Sequence, residues 1–217
     1  MIKHVIWDWN GTIVNDAPLF VDIMNKSLSS ASLPNITLND YQNLFVFPVV
    51  DFWKKLGFKF NEAEFNKMNA SFIKNYKTQM LKPKLHNNIK AVFMKISKLN
   101  IKQYVVSASE HTILKNCVNH YQISKYFNDI VGVDNLNAIG KAVVAKKLID
   151  THSINVENCL FIGDTPHDSE VAKSLGANIL LVSYGHIAKS RLYKTNCSIV
   201  DSVEDVFSYI IKNGAKK

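Results

Sequence analysis

Two carboxylates far apart in the chain each stand at the end of a short apolar run. Asp8 follows Val5-Ile6-Trp7, and Asp164 follows Leu160-Phe161-Ile162-Gly163. Such runs, rich in β-formers and stopping at a polar residue, have the pattern of buried parallel strands. Open α/β sheets place their ligands beyond the carboxyl ends of such strands. Two of these strands side by side would bring Asp8 and Asp164 to one sheet edge, with Asp168 nearby. Clustered carboxylate oxygens there suit Mg²⁺, which takes one or two carboxylates and completes its shell with water and phosphate. Either aspartate alone could be an ordinary strand-end or turn residue; the pair is what points to chemistry.

The elements that must hold these groups follow from periodicity. Gly11 permits a tight turn after the first strand. Asn15-Asp16-Ala17-Pro18 predicts a helix start with Asp16 as cap and proline in the first turn. Leu19, Phe20, Ile23, Met24 and Leu28 then repeat at helical spacing. Thr37-Leu38-Asn39-Asp40 predicts a capping box, and Asn61 caps a segment carrying Phe65, Met68, Phe72 and Tyr76 at spacings of three and four. From about 15 to 83 the pattern is helical without a strand, too long for one crossover, and its aromatic stripes read as core. From Asn87 short β runs alternate with helices. The strand predicted over 101–106 ends at Ser107-Ala108-Ser109, with Ser109 capping the next helix. Alternation of this kind implies right-handed crossovers and a doubly wound parallel sheet, hence an α/β fold with an α-helical insertion.

Composition excludes several classes. The chain has 217 residues, 47% of them hydrophobic, enough for a core plus a smaller insertion. No apolar run is long enough to span a membrane, and a catalytic strand starting at Ile2 leaves no room for a cleavable leader. Cytoplasmic residence is the expectation. Cys117, Cys159 and Cys197 are widely spaced, with no Cys-x-x-Cys pair, so neither a disulfide framework nor a zinc ribbon is expected. The net charge of +8 is nearly all lysine, spread along the chain, with Arg191 the sole arginine and Lys216-Lys217 the nearest thing to a cluster. Nucleic-acid recognition leans on arginine forks and stacking, so no nucleic-acid partner is expected.

Asp8-Trp9-Asn10-Gly11-Thr12 resembles the Asp-x-Asp-Gly-Thr signature of the haloacid dehalogenase superfamily. Gly163-Asp164-Thr165-Pro166-His167-Asp168 resembles its acidic motif, Gly-Asp-(Ser/Thr)-x-x-Asp. The resemblance implies a Rossmann-like core, residues 1–14 and 84–217, with a helical cap at 15–83. It implies a Mg²⁺-dependent phosphatase of small phosphorylated metabolites, similar to phosphoglycolate phosphatases. Asp8 becomes the nucleophile and forms an aspartyl-phosphate. Asp8, the Asn10 carbonyl and Asp164 become metal ligands, with Asp168 binding through water or orienting a lysine. Phosphate contacts are expected from Gly11, Thr12, Ser107, Ala108 and Lys141, the lysine neutralising nucleophile and phosphate. His167 and His186 flank this region and read as structural. A monomer or homodimer is expected.

Asn10 departs from the superfamily pattern, which has aspartate there as general acid and base. Asparagine cannot exchange that proton, which puts a factor of about 10²- to 10⁴ at risk. His111 is one candidate to supply it. The alternatives are a catalytically impaired protein that binds a phosphorylated ligand, and a haloacid dehalogenase. The second is weakened by the intact Asp164/Asp168 motif and by the absence of any arginine in the cap to hold a halide or carboxylate.

Overall fold

The structure is a computed structural model that describes residues 1–134 and 140–214. Lys216 and Lys217 lie outside the described residues. Its strands are β1 (His4–Trp7), β2 (Lys102–Glu110), β3 (Asp129–Val133), β4 (Cys159–Gly163), β5 (Asn178–Val182) and β6 (Ser198–Val200). Its helices are α1 (Ala17–Ser30), α2 (Leu38–Leu44), α3 (Val49–Lys55), α4 (Glu62–Lys77), α5 (Ile89–Lys98), α6 (His111–His120), α7 (Lys141–Thr151), α8 (Pro166–Ser174), α9 (Lys189–Leu192) and α10 (Val203–Gly214).

The strands form one parallel sheet in the order β3-β2-β1-β4-β5-β6. The strand order reverses direction around β1, and a doubly wound sheet opens its ligand crevice at such a point. Both faces of the sheet are covered, which is why β1 from Val5 onward and β4 are apolar instead of alternating. Val5 and Trp7 pack with Phe93, Val105 and Leu160 on one face, while Ile6 packs with Tyr104, Val106 and Phe161 on the other. Trp7 meets Phe93 edge-on at 5.2 Å, and its indole N–H donates to the buried Gln103 side chain at 3.2 Å. That bond satisfies a donor whose burial alone would cost roughly 1–3 kcal/mol.

Helices α1 to α4 follow β1 and build a second apolar cluster. Val21, Met24 and Leu28 of α1 pack there with Tyr41, Phe45, Phe52 and Trp53. The cluster continues into Leu181, Ile187 and Leu192, so these helices rest on the edge of the sheet next to the end of β5. The predicted capping boxes form at Thr37/Asp40 and Asn61/Glu64. The segments leading into and out of the helices run together: Val14 bridges Leu85, Asn15 N–H donates to the Lys84 carbonyl at 2.9 Å, and His86 N–H to the Ile13 carbonyl at 3.1 Å.

Two caps differ from their sequence reading. Asp16 occupies the N-cap position of α1 but makes no capping hydrogen bond. At α6 the cap is Glu110, whose carboxylate accepts from Thr112 and Ile113 N–H, because β2 runs on past Ser109. Asp16 and Ser109 both turn into the crevice instead.

Candidate active site

Register brings the strand-end groups together. Trp7 lies opposite Ile162 of β4 and Val105 of β2, so Asp8 emerges level with Gly163 on one side and one residue short of Ser107 on the other. Asp8 N–H donates to the Ile162 carbonyl at 2.8 Å, which fixes where the strand ends. Asp8, Asp164 and Asp168 are all buried, each with a carboxylate oxygen within 4.8 Å of the others. Lys141, at the start of α7, reaches into this group from beneath. Its ammonium donates to Asp8 Oδ1 and, at 2.5 Å, to Asp168 Oδ1. A lysine opening a helix is ordinarily solvated; Lys141 is 3% exposed.

Asp168 also closes the α8 capping box, its Oδ2 accepting from Thr165 N–H at 2.9 Å, Thr165 Oγ1–H at 2.7 Å and Asp164 N–H at 3.2 Å. Lys141 is the hydrogen-bond partner of Oδ1, so Asp168 orients the lysine. Asp164 accepts from Thr12 Oγ1–H at 3.1 Å and His186 N–H at 2.6 Å. The loops close tightly around it. A Cβ on Gly185 would collide with the Asp164 carboxylate, and one on Gly11, whose φ is +75°, would strike both that carboxylate and the His186 ring. Both positions require glycine on steric grounds, and at Gly11 the left-handed backbone adds to the demand.

A second network occupies the other side of the β1 turn. Asn10 Nδ2 donates to Asp16 Oδ2 at 2.6 Å and to the Tyr76 hydroxyl at 2.7 Å, while Asn10 Oδ1 accepts from Ser109 Oγ–H at 3.0 Å. Tyr76, from α4, donates its own proton to Asp16 Oδ2 at 2.8 Å. Asp16 Oδ1 accepts from Gly11 N–H at 3.0 Å and pairs with His186 Nε2 at 3.1 Å. His186 Nδ1 bonds the Tyr41 hydroxyl of α2 at 2.8 Å. Asp16 is fully buried and all four of its acceptor positions are used.

Of the expected phosphate contacts, Gly11 N–H is directed at Val14 O and Asp16, and the Thr12 hydroxyl at Asp164. Ser107 is buried, and its Oγ accepts from Ser109 N–H at 3.0 Å, which leaves its own proton to donate. Ala108 sits half-buried between them. His111 accepts from Gly132 N–H at 3.3 Å, tied to the β3 side of the sheet, while the groups contacting Asn10 are Asp16, Tyr76 and Ser109. His167 is half-exposed, pairs with Glu170 at 3.4 Å and stacks against Phe47 of the α2–α3 turn.

The electrostatics of the two networks differ. Burial, partly offset by Lys141 and reinforced by Asp168 and Asp164, pushes the Asp8 carboxyl up to about 8. Burial likewise raises Asp164 to about 6, against the pull of His186. Burial opposes charge on His186 as well, but the hydrogen bond and charge of Asp16, then Asp164 and Asp8, overcome it and lift the imidazole to about 9. Asp16 is held below its ordinary value despite burial, by the same His186 contact and by Asn10 and Tyr76. Four buried carboxylates thus face two cations, Lys141 and His186, and the excess negative charge lies at Asp8 and Asp164. An all-oxygen donor set with a net deficit of two positive charges fits a hard divalent cation.

Sequence reasoning missed Asp16, Ser109, Tyr76 and His186 as parts of this site. Asp16 and Ser109 carried a local helix-cap pattern that masked them, and Tyr76 lay within a stripe of aromatic residues at helical spacing. The sole signal for His186 was its place after Gly185, just beyond a β-strand.

A parallel sheet reversing at β1, with an aspartate beyond β1, another beyond β4 and a lysine between, defines a class of carboxylate-centred α/β hydrolases. The family model described as haloacid dehalogenase-like hydrolase matches residues 5–182, and the chain belongs to that family. It is 18% identical over 220 residues to a phosphoglycolate phosphatase of Aliivibrio fischeri, covering 97% of this chain and 95% of that one. Among solved structures it resembles a predicted phosphatase from Clostridium acetobutylicum, with TM-score 0.83 and 19% identity over 98% of this chain and 99% of the other. A predicted phosphoglycolate phosphatase from Haemophilus somnus gives TM-score 0.77 and 20% identity over 96% and 97%. Among the described residues no helix is long and apolar enough to cross a membrane.

Proposed function

We propose that this chain is a Mg²⁺-dependent phosphatase of small phosphorylated metabolites, acting through an aspartyl-phosphate on Asp8, with residues 15–83 as the cap that sets specificity. The observation that carries it is the state of Asp8. One of its oxygens is fixed by Lys141, while Oδ2 has no hydrogen-bond partner among the described residues. The Asp8 and Asp164 carboxylates and the Asn10 carbonyl would hold Mg²⁺, which when bound supplies charge neutralisation for the phosphoryl oxygens.

The rest falls to the chain. Lys141 favours the ionised form of Asp8 against its burial and adds positive charge where the phosphoryl group must sit. Asp8 Oδ2 attacks phosphorus in line, the bond to the leaving oxygen breaks, and Ser107 Oγ–H with the Ala108 region holds a phosphoryl oxygen. Water then cleaves the acyl phosphate and restores Asp8. The likeness to proteins described as phosphoglycolate phosphatases supports a small phosphorylated acid as substrate, and a cytoplasmic setting suits such metabolites.

A second reading, a protein that binds a phosphorylated ligand with little turnover, is favoured by Asn10, whose side chain is fully engaged with Asp16, Tyr76 and Ser109. Phosphate release from p-nitrophenyl phosphate and from a panel including 2-phosphoglycolate, with and without Mg²⁺, tests both. Mg²⁺-dependent release is expected and should fall by on the order of 10⁴-fold or more in Asp8→Asn. Release that survives Asp8→Asn would overturn the Asp8 mechanism.

A further inference from the structure

Among the described residues, the side chains nearest the reacting position that could carry a proton are held by hydrogen bonds to other parts of the protein. Phosphoryl transfer to Asp8 from an alkyl ester needs a proton delivered to the departing alkoxide, and hydrolysis of the resulting acyl phosphate needs a base for the attacking water. Asn10, two residues beyond Asp8, can do neither, and both of its amide protons and its carbonyl oxygen are already bonded. Asp16, the carboxylate beside it, has two donors on each oxygen: Gly11 N–H and His186 on Oδ1, Asn10 and Tyr76 on Oδ2. Asp168 is engaged by Lys141 on Oδ1 and by Thr165 and Asp164 N–H on Oδ2. The His186 ring is bonded at both nitrogens, by Tyr41 and Asp16, and His86 Nε2 is engaged with the Gly11 carbonyl at 2.9 Å.

We propose that Asp8 accepts a phosphoryl group from donors whose leaving group departs without a proton, acyl phosphates above all, and retains it as a long-lived aspartyl-phosphate. The inference rests on the reading of Asp8 as the nucleophile and narrows its substrates to donors with good leaving groups: of the panel above, p-nitrophenyl phosphate should react, and 2-phosphoglycolate, an alkyl ester, far more slowly. In the first step a lone pair of Asp8 Oδ2 forms the new O–P bond. The P–O bond to the donor breaks with its electron pair leaving on the carboxylate of the acyl group, so no acid is required. In the second step water must surrender a proton as its oxygen bonds to phosphorus and Asp8 departs. Among the described residues, Asn10 cannot take that proton, and Asp16, Asp168 and His186 are committed to partners within the protein, so the adduct is long-lived. A hydrogen-bonded ring of Asn10, Asp16 and Tyr76, with Ser109 on Asn10, holds this arrangement, and replacing Asn10 alone leaves Asp16, Tyr76 and Ser109 still directed at position 10.

The test is intact-protein and peptide mass spectrometry of the full chain after incubation with acetyl phosphate and Mg²⁺. p-Nitrophenyl phosphate and an alkyl phosphate serve as further donors, and free phosphate is measured alongside. The expected result is a mass gain of one phosphoryl group mapped to the peptide containing Asp8. With p-nitrophenyl phosphate, a burst of nitrophenolate equal to the enzyme present should precede a much slower steady rate. The alkyl phosphate should give neither. In Asn10→Asp the adduct should decay about 10²- to 10⁴-fold faster. The wild-type burst and peptide map stand by themselves if that variant folds poorly. Steady multiple turnover of the alkyl phosphate with no burst and no adduct would overturn this inference and leave the phosphatase reading intact. Absence of adduct, burst and phosphate alike would overturn both.

Discussion

The two sides of the β1 turn each bury aspartate beside a cation and end in opposite states. On one side Asp8 and Asp168 share Lys141 while Asp164 lies beside them, and the group remains short of positive charge. On the other, Asp16 meets His186, an amide, a phenol and a backbone N–H, and every acceptor position is used. The first arrangement is stable only in company with a cation or a proton, and burial accordingly drives the Asp8 carboxyl up to about 8. The second is complete, and its carboxyl is held down. A buried carboxylate is therefore not by itself a sign of reactivity; what distinguishes a working one is unfilled acceptor capacity beside unbalanced charge.

Breaking the completed side should produce the largest change in stability. Asp16→Asn removes the partner of buried His186 and is expected to cost about 3–5 kcal/mol in urea denaturation. The pH dependence should change with it. A histidine raised to about 9 contributes stability that is fully present below its unfolded value of 6.5 and is lost as pH rises through 9. The wild-type decline between those pH values should flatten in Asp16→Asn; an unchanged profile would mean that the pair contributes nothing.

The acidic side is sharpened by adding the missing charge. At Mg²⁺ concentrations about a hundredfold above its dissociation constant, binding should stabilise the chain by about 2.7 kcal/mol. Thermal unfolding with and without chelator reads this out, and the shift should disappear in Asp164→Asn while surviving in Tyr76→Phe. Asn10→Asp makes the two sides alike, placing a second carboxylate 2.6 Å from Asp16 Oδ2. One of that pair should then titrate well above the ordinary carboxylate range, so stability falls as pH rises from about 4 toward the raised value. A cost of roughly 1–3 kcal/mol at pH 7 is expected. Equal stability of wild type and variant across pH would show that the side chain at position 10 turns away from Asp16. Tyr76→Phe is the mildest test, losing one hydrogen bond to Asp16 and one from Asn10, with about 1 kcal/mol expected. It should leave phosphoryl transfer to Asp8 unchanged.

What was legible in the sequence follows the same division. Asp8 and Asp164 could be found because apolar strands that stop at a carboxylate are a local pattern, and parallel pairing then does the rest. Lys141 was legible through the resemblance alone, since nothing near it in the chain announces burial. Asp16 was misread because Asn15-Asp16-Ala17-Pro18 satisfies the rules for a helix start; the backbone does begin a helix there, but the carboxylate bends back to the Gly11 turn. Ser109 failed for a related reason: Glu110 fills the cap and frees the serine for Asn10. Tyr76 and His186 each bond Asp16, 60 and 170 residues away in the chain, and contacts at such separations leave no periodic trace.

The bridge between Val14 and Leu85 has a consequence of another kind. Because the chain leaves the sheet layer and returns to it at adjacent backbone positions, everything between them counts, for the strands beyond, as a single long hairpin loop. Closing such a loop costs only a logarithm of its length. The intervening helices can therefore be shortened, exchanged or recombined with little effect on how the strands find each other, and diversity among relatives of this chain should concentrate between those two residues while the sheet stays constant.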